Sequence, residues 1–124
     1  MEPLRVLIVD DTPDVRSFLR ISMTHEPGLE IVGEAEDGRE AIAMVRETRP
    51  DVVVMDLMMP VMDGVEATRI ITQEHPGVVV IGFTSAGDPG SQAAMAAAGA
   101  VVQVRKENLG ELIDVLLQHA SQSA

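Results

Sequence analysis

Stretches of apolar residues alternate five times with segments of helical periodicity along this 124-residue chain. The first, third and fourth stretches are continuous and rich in β-branched residues, which is typical of strands buried on both faces of a parallel sheet. The second stretch mixes apolar with acidic residues, which suits a half-exposed edge strand. The predicted strands are 6–9, 29–35, 52–55, 78–83 and 101–104.

Each segment between or after these strands begins with a residue that favours a helix N-terminus. Pro13, directly after the first of them, suits the first helical position. Pro50 and Pro76 stop the second and third helices, and Gly99 ends the alanine-rich fourth helix. The predicted N-caps are Thr12, Asp37, Asp63, Asp88 and Asn108.

Five strand–helix units in this order predict an α/β fold, a doubly wound parallel sheet with right-handed crossovers. We assign residues 1–120 to one domain and residues 121–124 to a frayed polar tail. The length fits a single domain, and the hydrophobic content of 46% is too high for a disordered chain.

The formal net charge of −11 narrows the range of partners. Nine basic residues among twenty acidic ones do not form the positive groove that nucleic acid requires, so we expect no direct nucleic-acid binding by this chain. An anionic membrane surface would also repel it, and no apolar run reaches membrane-spanning length. The chain has no cysteine and does not begin like a signal peptide, so we expect a cytoplasmic location.

Polar residues stand at the ends of four predicted strands. Asp10 and Asp11 follow the first and Asp56 follows the third, whereas Thr84 and Lys106 come after the fourth and fifth. Ligands of open parallel sheets bind at the carboxyl ends of the strands, so these side chains are expected to converge. Close carboxylates need a cation, and ligands that are all oxygen suit Mg2+. No glycine-rich phosphate-binding turn follows the first strand, which argues against nucleotide binding.

The converging residues predict phosphoryl transfer to a carboxylate. Asp56 is the candidate nucleophile because it lies between the acidic pair and the side of Thr84 and Lys106, and a carboxylate can form an acyl phosphate. Taken singly, each residue has a simpler interpretation. The acidic pair could favour a helix N-terminus, Asp56 could be a turn residue, and the other two could be ordinary surface groups. Only the combination carries the prediction.

Four sequence segments in this order resemble the receiver domains of two-component response regulators. They are VLIVDD, DVVVMDLMMPVMDG, FTSAGD and AGAVVQVRK. The segment GLEIVGEAEDGREAI resembles receivers of the NarL/FixJ type, which usually precede a DNA-binding domain. The resemblance covers essentially the whole chain. It implies the flavodoxin-like fold, with five parallel strands in the order 2-1-3-4-5 and five helices.

The resemblance implies a role for each position that matches the family. The expected parts are a phosphoacceptor, a Mg2+ site that includes one backbone carbonyl, a switch hydroxyl and a lysine that neutralises the phosphoryl group. Asp56 would be the phosphoacceptor, and Asp10, Asp11, Asp56 and the Met58 carbonyl would hold Mg2+. Thr84 would be the switch hydroxyl and Lys106 the neutralising lysine. The donor is expected to be a phosphohistidine of a sensor histidine kinase. The chain would then be a switch, able to label itself from small donors and to lose the phosphoryl group slowly, and not a metabolic enzyme.

The sequence departs from the family pattern near the switch. With Thr84, Gln103 occupies the switch positions of the family, but an aromatic ring usually stands at position 103 and swings inward when the threonine moves, and Gln103 cannot reproduce that packing. Glu107 replaces a common proline after the lysine. Met58 and Ala86 lack polar side chains that could align a water, which predicts slow dephosphorylation. On the first helix, Ile21 lies off the apolar stripe, either as an isolated surface residue or as part of a kinase-docking patch.

The resemblance also concerns partners and output. A homodimer through the fourth helix, fifth strand and fifth helix is possible, and so is a DNA-binding domain after residue 124, with a role in transcription regulation. Two other functions stay open. One is an interaction module that keeps the fold without the phosphorylation switch, which Gln103 favours. The other is a Mg2+-dependent phosphatase with an aspartyl phosphate, which Met58 opposes because such enzymes carry a second acid there.

Overall fold

A five-stranded parallel sheet lies between two layers of helices in the computed structural model, which describes residues 2–85 and 89–122. The strand order is β2-β1-β3-β4-β5, which confirms the predicted fold. The strands are β1 (Leu4–Val9), β2 (Leu29–Ala35), β3 (Val52–Met55), β4 (Val79–Thr84) and β5 (Val102–Arg105). The helices are α1 (Pro13–Thr24), α2 (Gly38–Thr48), α3 (Gly64–Glu74), α4 (Pro89–Ala98) and α5 (Leu109–Gln122).

The core has two halves because residues of a strand alternate between the faces of a sheet. In β1, Val6 and Ile8 pack toward one face, with buried residues of α1 and α5. Leu7 and Val9 pack toward the other face, with buried residues of α2, α3 and α4. The central strands are therefore apolar on both sides, which is why their sequence is continuous rather than alternating. No helix in the described ranges is long and apolar enough to cross a bilayer.

Several helix ends follow from side-chain caps. The carboxylate of Asp37 accepts from the amide of Glu40, and that of Asp63 accepts from the amide of Glu66, each at 2.9 Å. These two predicted N-caps are confirmed. Asp88, the predicted cap of α4, lies outside the described residues.

One predicted N-cap is confirmed in position only, and the predicted start of the tail needs correction. Thr12 occupies the N-cap position of α1, but its side chain makes no capping hydrogen bond. Its own amide is instead bound by the carboxylate of Asp10 at 2.9 Å, which turns the chain directly after β1. At the other end of the chain, α5 continues to Gln122, so the predicted frayed tail from Ser121 begins inside a helix.

Candidate phosphoacceptor site

The polar residues at the ends of β1, β3, β4 and β5 lie side by side. Hydrogen bonds between backbones extend the sheet slightly past its strands: the Asp56 amide donates to the Val9 carbonyl, and the Lys106 amide donates to the Thr84 carbonyl, each at 2.9 Å. These contacts hold each functional residue in the register of its neighbour. The predicted convergence of the strand ends is therefore present in the structure.

Three carboxylates form the acidic side of the site. One oxygen from each of Asp10, Asp11 and Asp56 lies within 4.8 Å of the others. Asp10 and Asp56 are only 1% and 5% exposed, whereas Asp11 faces solvent. Carboxylate oxygens at this spacing, open to water on one side, match the preference of Mg2+ for hard ligands and retained waters. The residues present therefore fit the metal that the sequence predicted.

Lys106 supplies the positive charge. Its Nζ lies 2.7 Å from Asp10 Oδ2 and 3.4 Å from Asp56 Oδ2. Burial lowers the pKa of Lys106, but the hydrogen bond to Asp10 and the charges of both carboxylates outweigh burial, so that its pKa is raised. The ammonium is thus firmly protonated where a phosphoryl group on Asp56 would place its charge.

Asp56 has an unusual protonation behaviour for a carboxyl group. Burial, followed by the negative charge of Asp10, raises its pKa from 3.8 to about 6. Lys106 and the Leu57 amide, which donates to Asp56 Oδ1 at 2.8 Å, oppose that rise. A bound cation therefore stabilises the ionised form of the buried Asp56 carboxylate more than it would stabilise an exposed carboxylate.

The loop between β3 and α3 packs tightly over Asp56. A Cβ atom at Gly64 would overlap the Asp56 carbonyl oxygen, so only glycine lets the start of α3 approach the site this closely. The Gly64 amide donates to the Leu57 carbonyl at 2.8 Å and fixes that approach. Val61, in the same loop, has a φ of 68° and is 74% exposed. A β-branched residue in the left-handed region is strained, so this loop holds an unfavourable backbone conformation beside the acceptor.

The other residues near the site differ in their exposure. Thr84 is buried at the end of β4. The Met58 side chain is 71% exposed and contributes no core packing, and its carbonyl as a metal ligand stays a prediction. Glu107 forms an ion pair with Arg105 at 3.2 Å. Ala86 lies outside the described residues.

Gln103 of β5 contacts α4 and β4. Its Nε2 donates to the Gln92 carbonyl of α4 at 2.8 Å. Along the way its side chain crosses Gly82 of β4, where an added Cβ would meet Gln103 Cγ at 3.0 Å. At the position where the family usually has an aromatic ring, Gln103 therefore links β5 to α4 through a hydrogen bond.

The apolar surface beside Lys106 is larger than the sequence indicated. Phe18 and Ile21 of α1 are both exposed large hydrophobic residues. Phe18 also lines a cavity of about 360 Å³ that reaches Phe83, Leu109 and Lys106. The exposure of Ile21 is thus shared by a neighbour on the same helix, whereas its role in kinase docking stays a prediction.

One contributor to the site was missed. Arg16 of α1 folds back so that its Nη1 donates to the Asp10 carbonyl at 2.6 Å. The target is a backbone atom, which has no signature in the sequence.

Comparison with known proteins agrees with this geometry. The family model described as the response regulator receiver domain matches residues 6–117. A protein-glutamate methylesterase/protein-glutamine glutaminase from Hahella chejuensis is 45% identical over 103 residues, which is 82% of this chain and 29% of that protein. The chain thus spans under a third of the length of this relative.

Solved structures of two kinds resemble the chain. A LuxR-family two-component response regulator from Aurantimonas sp. SI85-9A1 has a TM-score of 0.89 and 35% identity, covering 98% of this chain and 87% of its own. The response regulator domain of Thermotoga maritima CheB has a TM-score of 0.88 and 30% identity, and the match covers 97% of this chain and 98% of that one. Likeness to both kinds means that the predicted NarL/FixJ type is not distinguished from a CheB-like receiver.

Proposed function

The chain belongs to the response regulator receiver domains, and from that premise we propose that Asp56 accepts a phosphoryl group from a phosphohistidine of a sensor histidine kinase. The transfer depends on Mg2+, and the chain acts as a switch rather than as an enzyme that turns over a substrate. The proposal keeps the cytoplasmic location predicted from the sequence. The single observation that carries it is the position of Lys106 Nζ, 3.4 Å from Asp56 Oδ2, beside a cluster of three carboxylates.

The chemistry needs few groups. An oxygen of the Asp56 carboxylate attacks phosphorus while the bond from phosphorus to the imidazole nitrogen of the donor breaks, and the electron pair of that bond returns to the nitrogen. Lys106 neutralises a phosphoryl oxygen, and Thr84 donates a hydrogen bond to another. Mg2+ held by Asp10, Asp11, Asp56 and the Met58 carbonyl supplies positive charge that offsets the repulsion between phosphoryl and carboxylate oxygens.

The Asp10 carboxylate also has a role of its own. It accepts from the Thr12 amide through Oδ1 and from Lys106 through Oδ2. Both oxygens are thus engaged, and the ammonium is held in front of Asp56 rather than in solvent. Asp11, which is exposed, is the carboxylate with the freest approach to an incoming cation.

The proposal is tested by incubating the protein with acetyl phosphate and Mg2+ and measuring its intact mass. We expect one added phosphoryl group, lost when a chelator removes Mg2+ and absent in Asp56→Ala. Asp51→Ala is a matched control, since Asp51 is an exposed aspartate just before the same strand. Absence of labelling in the unaltered chain, or labelling that survives Asp56→Ala, would overturn the proposal.

A second candidate is an interaction module that works without phosphorylation. It is favoured by Gln103, whose hydrogen bond to α4 ties together two elements that a phosphorylation switch would rearrange. Amide spectra recorded with and without beryllofluoride and Mg2+ separate the two functions. Shifts confined to the surroundings of Asp56, with none in α4 or β5, would support this candidate.

The output is a separate proposal. Relatives that are named methylesterases and a LuxR-family regulator both align with this chain. We propose that the receiver controls an attached effector domain, either a catalytic or a DNA-binding one. Homodimerisation through α4, β5 and α5 is the alternative way to transmit the signal, and sedimentation with and without beryllofluoride tests it.

A further inference from the structure

Arg16 makes a contact with the backbone of the acidic pair. Its Nη1 donates to the Asp10 carbonyl at 2.6 Å, and its Nε donates to Glu34 Oε1 at 3.2 Å. The Arg16 side chain is only 16% exposed. A guanidinium is a rigid planar fork, so two donors engaged at once fix its orientation and therefore the position of the carbonyl that it binds.

The carbonyl of Asp10 belongs to the peptide that joins Asp10 to Asp11. A peptide group is planar, so holding its oxygen also sets the direction in which the chain enters Asp11. The Asp10 amide is already held by the Ala35 carbonyl at 3.0 Å, and the Asp10 carboxylate is held by the Thr12 amide. Arg16 supplies the remaining restraint on this turn. Asp11 itself is exposed and has no burial to orient it.

The arginine is in turn positioned from the edge strand. Glu34 of β2 accepts from Arg16 through one oxygen and from Arg20 through the other, the latter at 2.6 Å. These two hydrogen bonds join α1 to β2 next to the turn that follows β1. A surface ion pair alone contributes little to stability. The pair with Glu34, however, holds Arg16 where it binds the Asp10 carbonyl, and so restricts the orientation of that peptide.

We propose that Arg16 is a positioning residue for Mg2+ binding, which acts by holding the Asp10–Asp11 peptide and is itself held by Glu34. The inference rests on the proposed function, because it assigns the acidic pair to the metal. It concerns this chain's own residues and is tested by Mg2+ affinity, without any phosphoryl donor.

Simple electrostatics predicts the opposite sign. A guanidinium beside the carboxylates repels a divalent cation, so removing its charge would tighten Mg2+ binding. Positioning predicts that the same removal weakens binding, since loss of a residue that orients metal ligands typically lowers affinity about tenfold or more. The direction of the change therefore separates the two effects.

The experiment measures the Mg2+ dissociation constant by amide NMR titration, because the chain has no tryptophan or tyrosine to report binding. We expect Arg16→Gln to raise it about tenfold. Arg16→Lys keeps the charge but lacks the fork that spans Asp10 and Glu34, so a similar rise is expected. Glu34→Gln, which leaves Arg16 in place, should give a smaller rise in the same direction.

Arg69→Gln is the matched control. It breaks another arginine–glutamate pair, with Glu66 on α3, and should leave Mg2+ affinity unchanged. Unfolding temperatures without Mg2+ show whether a variant is folded, and Arg16→Lys, which keeps the charge, carries the test if Arg16→Gln is not folded. Unchanged or tighter binding in the Arg16 and Glu34 variants would overturn the inference while the proposed function stands. Failure of the unaltered chain to bind Mg2+ would overturn both.

Discussion

The edge that holds Asp56 and the face formed by β5 and α4 differ in how their key residues are fixed. At the Asp56 edge, buried carboxylates and an ammonium contact one another across three strand ends. On the other face, the half-buried side chain of Gln103 makes one hydrogen bond to a helix carbonyl. The first arrangement is determined by the sheet, whereas the second depends on a single side chain.

Under the proposed function, this difference separates capture of a phosphoryl group at Asp56 from transmission of the signal. Asp10 and Asp56 directly follow strands that are buried on both faces, whereas Gln103 bonds to α4 and not to either of them. Transmission needs an element with two arrangements that differ by little in free energy. The hydrogen bond from Gln103 to α4 and an aromatic ring at the same position would favour different arrangements of β5 and α4. We therefore expect substitutions at position 103 to affect transmission and not the groups around Asp56.

Removal of the ammonium is expected to have the largest effect. Lys106→Ala takes away the only positive group that contacts Asp56 in the described part of the chain. The rate of labelling by acetyl phosphate should fall at least about 100-fold, by analogy with the loss of a charge-stabilising group in an active site. Arg105→Ala is the control, since Arg105 is exposed and pairs with Glu107. Equal rates for the two variants would contradict the role of Lys106.

The raised pKa of Asp56 predicts a dependence of stability on pH. Because its pKa is about 6 in the folded protein, above the ordinary 3.8, the folded state binds this proton more tightly. Asp56 therefore lowers the free energy of unfolding as the pH rises from about 4 to about 6. Asp56→Asn should remove this loss and stabilise the metal-free protein at pH 7 by about 1 to 2 kcal/mol, allowing for solvent screening.

Urea denaturation at pH 4.5 and pH 7, with a chelator present, measures that difference. The advantage of Asp56→Asn should be larger at the higher pH. A constant difference between the two proteins would mean that the Asp56 carboxyl is not perturbed in the fold.

The strain at Val61 gives a smaller effect. Val61→Asn places a residue that tolerates the left-handed region at a φ of 68°, and should raise the free energy of unfolding by about 1 kcal/mol. Val101→Asn is the matched control, because Val101 is also exposed but has no positive φ. A gain of similar size in both variants would show that the effect comes from replacing an exposed apolar side chain by an amide and not from backbone strain.

Loss of the Gln103 contact should have the smallest effect. Gln103→Ala removes the hydrogen bond to the Gln92 carbonyl and should lower the free energy of unfolding by about 0.5 to 1 kcal/mol. Gln103→Glu keeps the shape but cannot donate when ionised, so it should lose as much or more. Both variants should be labelled on Asp56 at the rate of the unaltered chain. Slower labelling would show that the two regions are coupled.

The fold could be predicted because its strands are buried on both faces and stand out as continuous apolar runs. The convergence of the polar residues at one edge of the sheet could be predicted because each lies at or just after the end of a strand, whereas their roles stay a prediction. Thr12 is the N-cap of α1 as predicted, but its side chain makes no capping hydrogen bond, and the Asp10 carboxylate binds the Thr12 amide instead. Arg16 and Gln103 both bind backbone carbonyls, which every residue carries, so only three-dimensional structure could identify their partners.

The most direct test of the account is an amide NMR titration of the protein with beryllofluoride and Mg2+, a combination that mimics a phosphoryl group on a carboxylate. The account predicts a saturable one-to-one complex, with shifts at Asp56 and Lys106 that require Mg2+ and are absent in Asp56→Asn. A spectrum that stays unchanged at the Asp56 edge, or shifts there that persist in Asp56→Asn, would contradict it.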